Sequence, residues 1–152
     1  MPLIGREKVE QMLTNYEQTA NDNIKGVYLS GLTNIVAGTP ADSGRARNGW
    51  FLSVGAPSNS TESSNNKTGS NSFSQISRMP QSVLGKKIFY TNNTSYIGVL
   101  EYGGFPSPVK KGSYIKRSKS YQILSINGFS KQAPSGWVRS TLIKMQNKIR
   151  SL

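Results

Sequence analysis

Residues 39–50 have the sequence TPADSGRARNGW, and the pattern of apolar residues changes from helical to strand-like across them. Proline lacks an amide donor and disfavours a helical residue before it, so Thr39-Pro40 predicts the end of a helix. Asp42-Ser43-Gly44 predicts a turn, because Asp and Ser side chains bond nearby amides and Gly tolerates positive φ. The residues that follow, Trp50–Val54, are rich in aromatic and β-branched types and predict a short strand.

The segment before this turn predicts one long helix from Gly5 to Val36. Its apolar residues recur every three or four positions, as they do on one face of a helix. They are Val9, Met12, Leu13, Tyr16, Ala20, Ile24, Val27, Tyr28, Leu32, Ile35 and Val36. Such a helix would be about 45 Å long and would extend past a small sheet. We expect most of these residues to pack in the core and part of the helix to reach a neighbouring subunit.

The rest of the chain predicts further short strands. Besides Trp50–Val54, strands are expected at Ile88–Thr91 and Tyr121–Ile126, because these segments are rich in apolar, aromatic and β-branched residues. Asn127-Gly128 predicts a tight turn after the last of them. We expect the three strands to form one antiparallel sheet.

Two further helices are predicted. One covers Tyr96–Tyr102 and ends at Gly103-Gly104, and the other runs from Gly136 to about Ile149, after Pro134. The predicted fold class is therefore α+β, with the long amino-terminal helix and the carboxy-terminal helix packed on a small antiparallel sheet. At 152 residues the chain fits a single domain.

Residues 57–75 predict a flexible loop within that domain. The tract from Ser58 to Gln75 consists almost entirely of Ser, Asn, Thr and Gly, and Phe73 is its only large apolar residue. Such a composition buries too little surface to offset the entropy lost on ordering. We therefore expect that deleting Ser58–Asn71 leaves the monomer fold intact.

The charge of the chain is unevenly placed. Residues 1–62 hold five basic and six acidic side chains, a net −1, and residues 63–152 hold fourteen basic and one acidic, a net +13. Residues 105–120 are predicted to be a basic loop, with aromatic residues interleaved. Its candidate partner-binding cations are Lys110, Lys111, Lys116, Arg117 and Lys119, and its aromatic neighbours are Tyr114 and Tyr121. This pattern suits a phosphate backbone, an acidic protein surface, or simply a solvated surface.

Glu101 is the only acidic residue after Glu62. A lone carboxylate in a basic region favours a structural ion pair, and the candidate partners are Arg45, Arg47 and Arg139.

The composition argues against an enzyme. The chain has no Cys and no His, which removes disulfides, thiolate nucleophiles, the usual zinc ligands and the commonest general base. Asp42 with Glu101 as a carboxylate pair, or Ser43 as a nucleophile, would lack an identified base. We expect no catalytic residues, no cofactor and no metal. No apolar run approaches the length of a secretory or membrane-spanning segment, so we expect the chain to stay in the compartment where it is made.

Three blocks of sequence resemble a known family. Residues 39–47, TPADSGRAR, resemble the Thr-Pro-x-Asp-[Thr/Ser]-Gly-x-x-Arg signature of tail-completion proteins, the head-to-tail joining proteins of long-tailed bacteriophages. Residues 96–103, YIGVLEYG, resemble the Tyr-x-x-x-Leu-Glu-[Tyr/Phe]-Gly of that family, and residues 130–139, SKQAPSGWVR, resemble its closing Pro-x-x-[hydrophobic]-Arg helix start.

The resemblance implies a structural virion protein without bond chemistry. It implies a homo-oligomeric ring, a hexamer or dodecamer, located in the virion neck after assembly in the host cytoplasm. The implied partners are the head-completion or connector protein, the tail terminator or tail tube protein, and non-specific contact with packaged DNA. The motif residues that would hold the fold or the subunit interface are Pro40, Asp42, Gly44, Arg45, Arg47, Glu101, Gly103, Pro134 and Arg139. The alternative, from the basic half alone, is a sequence-independent nucleic-acid-binding protein.

Overall fold

The computed structural model describes residues 5–104 and 112–152. In chain order they form α1 (Arg6–Gly38), α2 (Arg45–Asn48), β1 (Trp50–Val54), α3 (Ser70–Ile76), β2 (Ile88–Asn92), α4 (Ile97–Tyr102), β3 (Ser113–Ile115), β4 (Ser120–Gln122), β5 (Ser125–Ile126), β6 (Phe129–Ser130) and α5 (Val138–Arg150). The fold class is α+β, with a long amino-terminal helix, a carboxy-terminal helix and small antiparallel sheets, as predicted.

The end of α1 lies where the sequence predicts it. The helix has 33 residues and ends at Gly38, two residues beyond the predicted boundary. Thr39 is extended, and its N–H donates to the carbonyl oxygens of Ile35 and Val36 at 3.1 and 3.2 Å. The Thr-Pro pair therefore terminates the helix.

The predicted three-stranded sheet is wrong. Of the three predicted strands, only the first two pair with each other. Strands β1 and β2 form a two-stranded antiparallel ribbon, with Trp50 opposite Asn92 and Val54 opposite Ile88. The segment 121–126 is divided between two separate hairpins, β3–β4 and β5–β6. The predicted Asn127-Gly128 turn explains part of this result. Both of its residues have positive φ, 52° and 82°, and this tight turn pairs β5 locally with β6.

The hydrophobic core lies between the second half of α1, the β1–β2 ribbon and α3. Trp50 of β1 stacks on Tyr90 of β2, with ring centroids 5.2 Å apart. The buried apolar residues form one cluster: Leu32, Ile35, Val36, Ala46, Trp50, Ile76, Met79, Val83, Leu100, Ala133 and Trp137. Both tryptophans belong to it, so the cluster links the first strand to the start of the last helix.

The amino-terminal part of α1 extends beyond this core. Residues 6–19, here called the α1 overhang, are exposed at every position. Its apolar residues Val9, Met12, Leu13 and Tyr16 are 57, 70, 58 and 74% exposed, so the prediction of core packing is wrong for these four. The body of the protein begins at Asn21, whose amide donates to the carbonyl oxygen of Gln81 at 2.9 Å.

The prediction of a loop throughout residues 57–75 is wrong for its last part. Ser70 to Gln75 lie in α3, and Ser72 is fully buried. Its hydroxyl donates to the carbonyl oxygen of Arg47 at 2.7 Å and accepts from the N–H of Trp50 at 2.9 Å. Gly44, at φ 90°, packs so closely on the tract that a Cβ there would lie 2.4 Å from the backbone of Asn66. Small polar side chains thus satisfy buried backbone groups, a contribution that apolar content does not measure.

Ser72 lies just outside the Ser58–Asn71 segment, and the expectation that deleting that segment leaves the fold intact stays a prediction. We expect Ser72→Ala to lower the free energy of unfolding by about 1–3 kcal/mol, because the buried N–H of Trp50 loses its acceptor. Ser74→Ala, in the same helix but exposed, should change it by less than about 0.5 kcal/mol. Urea unfolding of both variants measures the difference. Equal effects would mean that the tract does not support the fold.

Candidate partner-binding surfaces

The carboxylate of Glu101 lies at the amino terminus of α5. It is only 6% exposed. Its Oε2 accepts from the N–H groups of Trp137 and Val138, both at 2.8 Å, and its Oε1 accepts from the N–H of Arg139 at 3.0 Å. The side chain of α4 thereby caps the first turn of α5, whose N–H groups have no partner within the helix.

Of the three candidate arginines, Arg139 is the one that pairs with Glu101. Its Nε donates to Glu101 Oε1 at 3.0 Å, and its guanidinium lies 4.7 Å from the centre of the Tyr102 ring. Arg45 is exposed and makes no ion pair among the described residues. The predicted structural ion pair is therefore present, with one of its candidate partners.

Two glycines make this junction possible. Gly136 has φ 79°, and a Cβ there would lie 2.5 Å from the carbonyl oxygen of Glu101. Gly103, a predicted motif residue, has φ 82°, and a Cβ there would lie 3.0 Å from the ring of Phe129. A larger side chain at either position would strain the backbone and displace a neighbour.

The pKa of the Glu101 carboxyl is lowered overall. Burial is the largest single influence and raises the pKa, because it disfavours the charged form. The backbone N–H groups of Trp137, Arg139 and Val138 and the side chain of Arg139 act in the opposite direction and together prevail. Glu101 is therefore a buried anion at neutral pH.

Arg47 closes the end of α1. Its Nε donates to the carbonyl oxygen of Thr39 at 3.0 Å, and its Nη2 donates to that of Ala37 at 3.3 Å. Its Nη1 reaches the carbonyl oxygen of Lys67 at 3.0 Å. Of the other motif residues, Pro40 is buried, whereas Asp42 and Pro134 are exposed. The first motif block thus forms the end of α1. Among the described residues, no hydrogen bond links Asp42 to Glu101, the other member of the carboxylate pair considered above.

Sequence reasoning missed the two indole contacts. Trp137 Nε1 donates to the carbonyl oxygen of Ile35 at 2.9 Å, and Trp50 Nε1 donates to the hydroxyl of fully buried Thr39 at 3.0 Å. The only sequence signal was that Thr39 directly follows the helix. The Trp137 contact joins the third motif block to the last turn of α1, and the Trp50 contact joins β1 to Thr39 of the first block.

Residues 113–122 form an exposed hairpin, here called the basic hairpin. Strands β3 and β4 are joined by a turn that carries Lys116, Arg117 and Lys119, all exposed. Tyr114 and Tyr121 lie opposite each other with ring centroids 5.2 Å apart in an edge-to-face arrangement, and they are 51 and 59% exposed. Lys110 and Lys111 lie outside the described residues. The hairpin therefore presents three cations beside two accessible aromatic rings.

The described part of the chain offers no metal-binding cluster of three or more His, Cys, Asp or Glu residues. Among the same residues, no helix has an apolar stretch of the length needed to cross a bilayer. The features that remain as candidate sites are surfaces: the basic hairpin, the α1 overhang and the open side of α5.

Comparison with known proteins gives no match, whether with protein-family models, curated proteins or solved structures.

We expect Glu101→Gln to destabilise the protein by about 1–3 kcal/mol at neutral pH, because one charged acceptor at the start of α5 is lost. Since the folded-state pKa is lowered, the contribution of Glu101 is complete above the unfolded-state pKa and is lost as pH falls through the folded-state pKa. The difference between wild type and variant should therefore be constant above about pH 5 and shrink in more acidic buffer. Asp42→Asn, on an exposed carboxylate, is the matched control. A difference that persists unchanged in acid would contradict an anionic role for Glu101.

Proposed function

We propose that the protein is a tail-completion subunit of a long-tailed bacteriophage. In this proposal it forms a closed homo-oligomeric ring at the virion neck and joins the tail to the head connector. Its neighbours would be the head-completion or connector protein on one side and the tail terminator or tail tube protein on the other. It acts through surfaces and carries out no bond chemistry.

The observation that carries the proposal is the convergence of the three motif blocks. Glu101 in the second block accepts hydrogen bonds from three N–H groups in the third. Trp137 in the third block donates to Ile35, one helical turn before the first block. Blocks that are distant in the sequence thus form one connected junction at the end of α1. Residues that hold one another in place through such hydrogen bonds are the kind that a sequence motif shared by one fold would contain.

The distribution of charge supports an assembly role. The basic hairpin is exposed and belongs to the half of the chain with net charge +13. Such a surface attracts an acidic partner and orients the approaching subunit. Assembly should therefore depend on salt more than folding does.

We expect reversal of Lys116, Arg117 and Lys119 to Glu to leave a folded subunit that no longer supports joining of heads to tails. Folding should be unaffected because the three side chains are exposed. The control is reversal of Lys67, Lys86 and Lys131, which are also exposed and change the net charge by the same amount. Thermal unfolding checks the fold, and in vitro complementation of tail-joining activity checks the function. Normal infectious particles from the hairpin variant would place the assembly contact elsewhere.

A second candidate function is sequence-independent binding of nucleic acid. The specific observation that favours it is the pair Tyr114 and Tyr121 beside the cations of the hairpin, since exposed aromatic rings stack on bases while cations follow the phosphates. In a virion neck the same hairpin could face packaged DNA.

We expect, under this second function, that affinity for single-stranded DNA falls steeply as salt is raised. Replacing Tyr114 and Tyr121 with Ala should weaken binding by about 10-fold or more without changing the salt slope, because stacking contributes about 1–3 kcal/mol per base. Fluorescence anisotropy with a labelled oligonucleotide measures both. Absence of binding at low salt would eliminate this candidate.

A further inference from the structure

The α1 overhang carries an unpartnered apolar stripe. Val9, Met12, Leu13 and Tyr16 follow helical spacing and so lie on one face, and each is more than half exposed. We call these four residues the exposed stripe. Arg6, Glu10 and Glu17 lie along one edge of that face, and Arg6 Nε donates to Glu10 Oε1 at 2.9 Å. The overhang and its first contact with the body, residues 6–22, hold four acidic and two basic residues.

The body of the protein has an apolar groove of about 300 Å³ between α1, α5 and the β1–β2 ribbon. Its lining includes the exposed Leu142, the half-buried Tyr28, Ile88 and Met145, and buried core residues such as Met79. Leu142 is 44% exposed, and none of residues 138–150 is fully buried. We call this feature the apolar groove.

One wall of the groove is basic. Helix α5, which forms that wall, has four basic residues and no acidic one. An apolar groove with a basic wall complements an apolar stripe on a segment of net negative charge.

The stripe cannot reach the groove of its own chain. Both belong to the same continuous helix: the groove begins at Tyr28, whereas the stripe ends at Tyr16. The overhang is about 21 Å long, which is sufficient to lie across a neighbouring groove. Only another molecule can bring the two surfaces together.

We propose that the exposed stripe of one copy docks in the apolar groove of a second copy, with the net negative segment 6–22 facing the basic helix α5. The contact is heterologous, because different surfaces of the two copies meet. Repetition of such a contact gives a closed ring when the rotation closes. Only the ring depends on the proposed function, and the docking would supply its subunit interface. The docking itself is argued from the two surfaces.

The test uses full-length protein and two complementary variants. The stripe variant is Leu13→Glu with Tyr16→Glu, and its matched control is Gln11→Glu with Gln18→Glu on the opposite face of the same helix. The groove variant is Leu142→Glu, and its control is Ile143→Glu, which is 57% exposed and does not line the groove. Circular dichroism and thermal unfolding establish that each variant is folded. Sedimentation velocity measures association.

We expect the wild type and both controls to self-associate, and each test variant alone to associate at least about 100-fold more weakly. Mixed in equal amounts, the two test variants should form a 1:1 dimer that grows no further, because one partner lacks a stripe and the other lacks a groove. This restored pairing is specific to a heterologous contact, and a simple loss of stability does not produce it.

Other outcomes overturn the proposal. A monomeric wild type at all accessible concentrations removes the interface. Normal association of the groove variant, with no association of the stripe variant in any mixture, indicates pairing of stripe with stripe. Rings that persist in both test variants show that the subunits meet elsewhere, and the proposed ring function then stands without this interface. Conversely, stripe-to-groove association in a protein that heads and tails do not need for joining would remove the proposed function and keep the inference.

Discussion

The last turn of α1 ends inside the protein, where its carbonyl oxygens are shielded from water. Val36 and Thr39 are fully buried, so the acceptors around them must be satisfied by the protein itself. The carbonyl oxygen of Ile35 receives the hydroxyl of Thr39 at 2.7 Å and the indole of Trp137 at 2.9 Å. Arg47 satisfies those of Ala37 and Thr39. The hydrogen bonds of this helix end are complete only when groups from α2 and from the start of α5 are in place.

That requirement links the helix end to Glu101. Trp137 can reach Ile35 only if the backbone at the start of α5 is held in place, and the carboxylate of Glu101 holds it through three N–H groups. A buried charge is costly unless it is fully hydrogen-bonded. Here the acceptor capacity of the carboxylate is used by the N–H groups and by Arg139. Among the described residues, no buried side-chain nitrogen or oxygen lacks a partner. The core and the polar junction therefore depend on each other.

Sequence patterns predicted the elements whose signals are local. The helical period of α1, its Thr-Pro stop, the short helix α4 before Gly103 and the Asn127-Gly128 turn are fixed by interactions within a few residues. Features that depend on distant partners were not predictable. Glu101 had three possible arginines, and only packing selects Arg139. Ser72 lies in a tract whose composition predicts a loop, yet it is buried because Arg47 and Trp50 need its hydroxyl.

The exposed stripe of α1 is another feature that the sequence pattern could not predict. Apolar residues recur every three or four positions along the whole of α1, but this periodicity cannot tell where along the helix the core ends. In the structure it ends near Asn21, and the large apolar residues of the α1 overhang are exposed. When apolar side chains at helical spacing continue beyond the core, they form an exposed surface suited to packing against another apolar surface. Part of the apolar surface of the body, around Leu142, is exposed as well. The docking proposed above would bury apolar surface that the monomer leaves exposed at both places.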